Sequence, residues 1–484
     1  MSVDKVNSSC RAGKESEMIK SDKRDLTEGP LFFKIIAFAI PIMLTGILQS
    51  LYTMADNIVV GKFSGDPNAL AAVGSTSSLV NLIINMLIGI SAGASIVVSH
   101  AYGARQDRML SRAVHTAMSF SVIGGLSFML VALLVSRPAL ALMGTQAALI
   151  DSATLYMRII ACGIPALAVY NFAAAILRSV GDSRTPLYIL SSSGLINVIL
   201  NLFFVIICGM SVDGVAYATI ISQYLSAAVA TGVLIKRGSL SYGLRFKELG
   251  IDGTILGRIL RFGIPASLQS SLFGISNVII TSAINGFEQA VISAKTIAGN
   301  IEGIIYVTLN SYMHASMTAA GQNFGAGKRD RIKKSVLYCL IQVTVIGIVG
   351  GCVMLAFGEG LANLFVDPLD PAKDVVIARA MDQMSILLTT YFICGIMESL
   401  SGSLRGLGYS ISPMVMCIGG VCGLRILWVL TAFRLDTFHT PVGLFTIYPI
   451  SWAVTSVMLA LVLVFALKKR KNANKDLQKE ANSL

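Results

Sequence analysis

Twelve stretches of this chain run for about twenty residues or more with scarcely a charge, long enough at 1.5 Å per residue to cross the apolar core of a bilayer. They fall near 33–58, 70–99, 112–136, 148–174, 186–209 and 213–236, then near 260–284, 290–320, 335–357, 382–403, 411–433 and 443–467, the last cut by Pro449 close to its start. Hydrocarbon offers no water to satisfy backbone N–H and C=O groups, so segments of this kind have to be helices. Composition agrees, with 54% hydrophobic and 13% charged residues where an ordinary soluble domain has about 25% charged. The expected fold class is an all-α polytopic membrane protein. Residues 1–29 contain no apolar core of a secretory signal, so no cleavable signal peptide is expected. Of eight cysteines only Cys10 lies outside the spans and none forms a CxxC, which suits small buried residues better than metal ligands or disulfides.

Charge sets an orientation. The amino-terminal arm, the loops after every second span and the carboxy-terminal tail carry 30 of the 38 Lys and Arg, including Arg105, Arg108, Arg112, Lys236, Arg237 and Lys468 to Lys471 as Lys-Lys-Arg-Lys. The opposite loops carry five: Lys62, Arg137, Lys373, Arg379 and Arg434. By the positive-inside rule both termini are expected in the cytoplasm, which discounts the formal glycosylation triplet Asn7-Ser8-Ser9. The remaining Arg158, Lys295 and Arg425 sit inside spans. The net charge of +12 therefore reads as topology, and no nucleic-acid partner is expected.

An internal repeat organises the whole. Ile35 to Pro41 (IIAFAIP) returns as Ile259 to Pro265 (ILRFGIP), Tyr102-Gly103-Ala104 as Phe324-Gly325-Ala326, and Arg178-x-x-Gly181-x-Ser183-x-Thr185-Pro186 as Arg405-x-x-Gly408-x-Ser410-x-Ser412-Pro413. The offsets are 224, 222 and 227. Six spans per half start the second half on the same side as the first, so the repeats are parallel, related by an axis along the membrane normal. The expected plan is an arm (1–30), an N-lobe (31–236), a linker (237–258), a C-lobe (259–467) and a tail (468–484), with a central cleft between two six-helix lobes.

Polar residues inside the spans are the candidate chemistry, because an acid near a helix centre costs about 2.5 to 3.5 kcal/mol on insertion scales and so faces a cavity or a partner. On the first span Thr45, Gln49, Tyr52 and Asp56 are spaced 4, 3 and 4, which puts them on one helical face. Span 5 shows Ser193, Asn197 and Asn201 at i, i+4 and i+8, a pattern that fits either a hard-cation site or an interhelical hydrogen-bond clamp. Span 8 holds Lys295, Glu302, Tyr306 and Asn310 on one face, and span 10 supplies Glu398. These acids fit ion or proton work, or a structural ion pair of Lys295 with Glu302 or Glu398. Gly89-Ile90-Ser91-Ala92-Gly93 matches G-x-S-x-G, but inside a helical span it reads as small-residue helix packing, not as a nucleophile elbow. The histidines are unclustered, so neither a metal site nor an enzyme is expected. Pro41, Pro165 and Pro265 lie inside spans, where each removes a helix hydrogen bond and permits a kink.

The motifs Ala55-Asp56-Asn57-Ile58-Val59-Val60-Gly61 with Ala69-Leu70-Ala71-Ala72-Val73-Gly74, Leu177-Arg178-x-x-Gly181-Asp182-x-x-Thr185-Pro186, and Gly325-Ala326-Gly327 resemble those of the MATE multidrug and toxin extruders, bacterial DinF- and MepA-like, over about residues 30–468. The resemblance implies twelve helices in two lobes and cation-coupled efflux of organic, often cationic compounds. Carried over residue by residue, the N-lobe cation site of archaeal and DinF-like members resembles Asp56, Asn197, Asn201 and Thr219, with Tyr156 and Asn171 at nearby polar positions. Where such proteins usually have a second carboxylate on helix 5 this chain has Asn201, leaving one formal charge and both Na⁺ and H⁺ open as coupling ion. The repeat maps Asn171 onto Glu398 at offset 227, and Asp56 onto Ile280 at offset 224, so the lobes have diverged.

The expected function is an antiporter that exports small organic molecules by alternating access, using Na⁺ or H⁺ and no cofactor. Asp56, Asn197, Asn201 and Thr219 would hold the cation, while Gln49, Tyr52, Tyr156, Asn171, Lys295, Glu302, Tyr306 and Glu398 would line the substrate cleft. It would act as a monomer in the cell membrane. The rival reading is a lipid-linked saccharide flippase of the same superfamily, whose members commonly carry cationic clefts and extra helices.

Overall fold

The computed structural model of the chain describes residues 25–63, 69–147, 149–366 and 371–482. The expected arm up to Arg24, with Cys10 and Asn7-Ser8-Ser9, and the tail side chains from Lys469 onward lie outside the described residues.

Twelve helices are long and apolar enough to span a membrane. We number them α1 (Leu31–Val60), α2 (Val73–Gly103), α3 (Asp107–Leu142), α4 (Ile150–Ser179), α5 (Arg184–Ile207), α6 (Val212–Lys236), α7 (Gly253–Ile284), α8 (Gln289–Gly325), α9 (Arg329–Ala356), α10 (Lys373–Gly406), α11 (Ile411–Arg434) and α12 (Pro441–Lys468). Each coincides with an expected span, and several run one or two turns further. Those extensions are polar helix starts: Asp107, Asp330 and Asp374 lie in the first turns of α3, α9 and α10, where the exposed N–H groups favour a negative charge. Asp252 caps α7 by accepting from the backbone N–H of Thr254 (2.9 Å) and Ile255 (3.1 Å). The Ile255 N–H, together with Arg112, holds the Asp252 carboxyl below the usual carboxylate range. The break in α12 falls at Thr446, between Pro441–Phe445 and the helix starting at Ile447, just ahead of Pro449. Pro41, Pro165 and Pro265 all lie within continuous helices.

The repeat reappears as a repeat of packing. In the first half α2 packs on α4, α3 on α4, α4 on α6, α5 on α6 and α1 on α5; six helices later α8 packs on α10, α9 on α10, α10 on α12, α11 on α12 and α7 on α11. The contacts between halves obey the same symmetry. Helix α7 lies against α2 and α3, and α1 lies against α8 and α9. The first helix of each half is thus shared: it belongs to its own half by sequence and leans on the other half by packing.

Small residues permit this. A Cβ on Gly93 would come within 2.1 Å of the Ile259 carbonyl oxygen, and one on Gly89 within 2.4 Å of the Ser267 backbone, so the G-x-S-x-G pentad is a seat for α7. At the end of α2, a Cβ on Gly325 would come within 2.1 Å of the His100 carbonyl oxygen and one on Gly321 within 2.3 Å of the Ser99 hydroxyl. His100 Nε2 is 2.7 Å from the Gly406 carbonyl, and its ring stacks on Phe324 at 4.5 Å. Toward the opposite end of α2 and α8, Gly74, Gly299 and Gly303 have nothing within 4 Å of a would-be Cβ. Midway along, Gly46 on α1 packs against α8, where a Cβ would lie 2.1 Å from Val307 Cγ1. The two lobes therefore form a V, shut at the end that carries the basic loops and open at the other.

Candidate functional site

The polar stripe on α1 faces α5, because Gly194 lets the two helices approach. A Cβ there would lie 1.9 Å from Tyr52 Cε2, so the tyrosine ring rests on the α5 backbone, and its hydroxyl donates to the Ser191 carbonyl (3.1 Å). One turn further along α1, Asp56 Oδ1 accepts a hydrogen bond from Asn201 Nδ2, which also reaches Asn197 Oδ1 at 3.3 Å. Asn201 is 0% exposed, and its Oδ1 is buried with no hydrogen-bond partner. An unpaired buried carbonyl costs about 1 to 3 kcal/mol. An acid, a free amide oxygen and the neighbouring Asn197 amide make a cluster of hard oxygen donors with spare acceptor capacity. Immediately beyond Asn201, α5 widens into a π-helical stretch, Phe203–Ile207. Such bulges are frequent at functional sites, and α11 of the other lobe carries one too, at Ile418–Gly423.

The structure brings Asp56, Asn197 and Asn201 together and packs Tyr156 against the apolar cluster that includes Val59 and Val60 at the end of α1. Thr219 instead donates to the Val215 carbonyl of its own helix (2.9 Å), and Asn171 donates to Leu167 O (2.9 Å). Asn171 is fifteen residues from Tyr156 on α4, about 22 Å along the axis, so those two do not share a pocket. Asp56 lies in the last two turns of α1, not at its centre, beside the open end of the V. Gln49 is exposed and Thr45 donates back to Pro41 O (2.7 Å).

The other lobe holds a similar arrangement that the sequence reading missed. Glu302 on α8, 5% exposed, accepts from Gln383 Nε2 of α10 at 3.0 Å, and Gln383 Oε1 is buried without a partner. The expected ion pair of Lys295 with Glu302 or Glu398 is not formed: among the described residues no salt bridge of 4 Å or less involves any of the three. Lys295 and Glu302 are seven residues apart on one helix, which separates them by about 10 Å in height. Glu398 is buried (4% exposed) and fifteen residues from Gln383 along α10, about 22 Å, so the two glutamates occupy different depths. Nearby cations are held by neutral groups. Arg405 Nη2 donates to Gln269 Oε1 (2.8 Å), and Arg425 donates to Asn277 Oδ1 (3.0 Å) while lying 4.1 Å over the Tyr448 ring. Tyr306 is 39% exposed one turn from Glu302, at the level of the Gly46–Val307 contact. Arg158 is exposed on α4.

A family model described as MatE matches residues 41–203 and 265–430, one match in each half of the repeat. The chain belongs to the MatE family. That makes it a multi-pass membrane transporter and not an enzyme. Among MatE relatives it is 29% identical to "Probable multidrug resistance protein YoeA" of Bacillus subtilis, over 90% of this chain and 94% of that one. It is 20% identical to "Multidrug export protein MepA" of Staphylococcus aureus, over 92% and 95%. The fold superposes on a solved structure described as the outward-facing conformation of a multidrug resistance MATE family transporter, with a TM-score of 0.85, 22% identity and coverage of 92% and 98%.

Proposed function

We propose that this MatE chain is a cation-coupled antiporter that exports organic, often cationic compounds by alternating access in the cell membrane, working as a monomer. The observation that carries the reading is the Asp56–Asn201–Asn197 cluster with its unpaired, buried Asn201 oxygen at the wall of the cleft. Turning the Asn201 amide over presents Oδ1 beside the carboxylate, which together with Asn197 suits Na⁺ coordination by oxygen; protonation of Asp56 gives the same neutralised state by H⁺. Either event removes the one formal charge of the pocket. Thr219 and Tyr156 then border the ion.

The basic-loop asymmetry assigns the closed end and both termini to the cytoplasm, so the V opens outward. The coupling ion enters from that side and releases substrate because it binds the two conformations unequally. Gln49, Tyr52 and Tyr306 line the substrate path, while Glu302 and Glu398 give its far wall a negative field that favours organic cations. Asn171 and Lys295 complete that path at other depths. The names of the relatives YoeA and MepA support a drug-like substrate range.

The test is dye efflux from inverted vesicles under imposed Na⁺ or proton gradients, comparing wild type with Asp56→Asn and Glu398→Gln. Asp56→Asn is expected to lower gradient-driven efflux at least about tenfold, a loss of about 1.4 kcal/mol or more in coupling, with equal folded protein in the membrane. Normal export by that variant would falsify the assignment of Asp56.

A further inference from the structure

Residues Asp25–Pro30 precede the first span, are rich in polar and turn-forming types, and have no part in the site above. Yet Leu26 and Thr27 are only 2% and 4% exposed. The segment lies across the closed end of the V. Leu26 N–H donates to Gln322 Oε1 of α8 (3.0 Å), and the Leu26 carbonyl accepts from Asn323 Nδ2 (3.2 Å) and Arg331 Nη2 (3.1 Å). Thr27 O accepts from Lys328 Nζ (3.0 Å) and Gly29 O from Arg331 Nη1 (3.2 Å). All of these donors and acceptors belong to the C-lobe.

Two connections then cross to the N-lobe. Gln322, fully buried, uses its other end to donate to the Ser179 carbonyl at the end of α4 (2.7 Å), so one side chain ties strap, α8 and α4 together. Glu28 Oε1 lies 2.7 Å from Arg105 Nη2 in the loop after α2 and 3.7 Å from Lys328 Nζ in the loop after α8. Those two cations are repeat equivalents, at the offset of 223 that also relates Asp107-Arg108 to Asp330-Arg331. A single carboxylate therefore sits between symmetry-related charges of the two lobes. The second half has the matching piece: Asp252, at an offset of 224 from Glu28 and just before α7, pairs with Arg112 of the N-lobe. The segment before α7 also crosses over, with Arg245 N–H donating to His115 Nε2 (2.9 Å) and Asp252 N–H to Thr116 Oγ1 (3.2 Å). Each half is thus leashed, just ahead of its first helix, to the opposite half.

We propose that Asp25–Gly29 is a latch that holds the cytoplasmic end of the V closed, with Glu28 the charge that joins the two lobes and Gln322 the buried tie beneath it. Separating the lobes at this end breaks Glu28–Arg105 and Gln322–Ser179 while leaving the strap bound to α8 and α9. The latch sets how often the inward-facing state is visited. It rests on alternating access but on neither the ion nor the substrate proposed above.

Hydrogen exchange of the full-length protein in nanodiscs, with no gradient and no substrate, tests it independently of efflux. Glu28→Lys puts a third cation between Arg105 and Lys328, and is expected to speed amide exchange about tenfold in residues 97–106, 179–184 and 317–328, on both lobes. Glu28→Gln should do so about threefold. The triple variant Glu28→Lys, Arg105→Glu, Lys328→Glu should restore wild-type protection. Acceleration confined to residues 25–34 would overturn the latch, since it shows a strap that frays without opening the lobes. Loss of protection that includes residues 384–400, the interior of α10, would overturn it as well, because Glu28 would then support the fold and not a gate.

Discussion

The two lobes each contain a carboxylate that accepts from a side-chain amide whose own oxygen has no partner, and the two differ in what surrounds them. In the N-lobe Asp56 is half-buried at the cleft wall, and among the described residues no salt bridge involves it. In the C-lobe Glu302 is shut in, 5% exposed, in a lobe that also buries Arg405 and Arg425. An acid with access to water can exchange ions; an acid shut away from water contributes a fixed field. Symmetry of fold has been kept while the chemistry of the halves has been divided.

Three substitutions break or sharpen that contrast. Asn201→Leu should raise the ion concentration for half-maximal efflux about tenfold and leave the melting temperature nearly unchanged, because Asp56 can still be hydrated from the cleft. Gln383→Leu should do the opposite. It leaves Glu302 enclosed without its donor, a cost of about 1 to 3 kcal/mol, so the melting temperature falls while the ion dependence stays put. If both variants shifted ion dependence equally, the division of labour would be wrong. The smallest effect belongs to Tyr52→Phe, which removes the bond to Ser191 O and should destabilise by about 0.6 kcal/mol, visible as a small drop in melting temperature at unaltered ion affinity.

Much of this was legible in the residues. Hydropathy located all twelve helices because hydrocarbon forces backbone satisfaction within each segment, and the repeat motifs mapped onto equivalent packing in both halves. Asp56 and Asn201 meet, as the resemblance to the MATE extruders implied. What failed was partner choice. Lys295 with Glu302 or Glu398 looked plausible from residue type, but contact between helices depends on depth and rotation, which periodicity within one helix does not report. Gln383 was overlooked because a lone amide in an apolar span gives no pattern. The strap at Asp25–Pro30 was invisible for another reason: its hold on the protein runs mainly through backbone carbonyls, which every residue has. The sharing of α1 and α7 between lobes was hidden likewise, since chain order says only which half they belong to.

The Gly46–Val307 contact has a consequence for cargo. From that contact to the end of α1 at Val60 there are fourteen residues, about 21 Å of helix, or roughly two-thirds of a 30 Å hydrocarbon core. On the function proposed above, a compound held at that contact would lie about 15 Å from Asp56, ten residues further along α1, so that cargo and ion could be aboard together without touching.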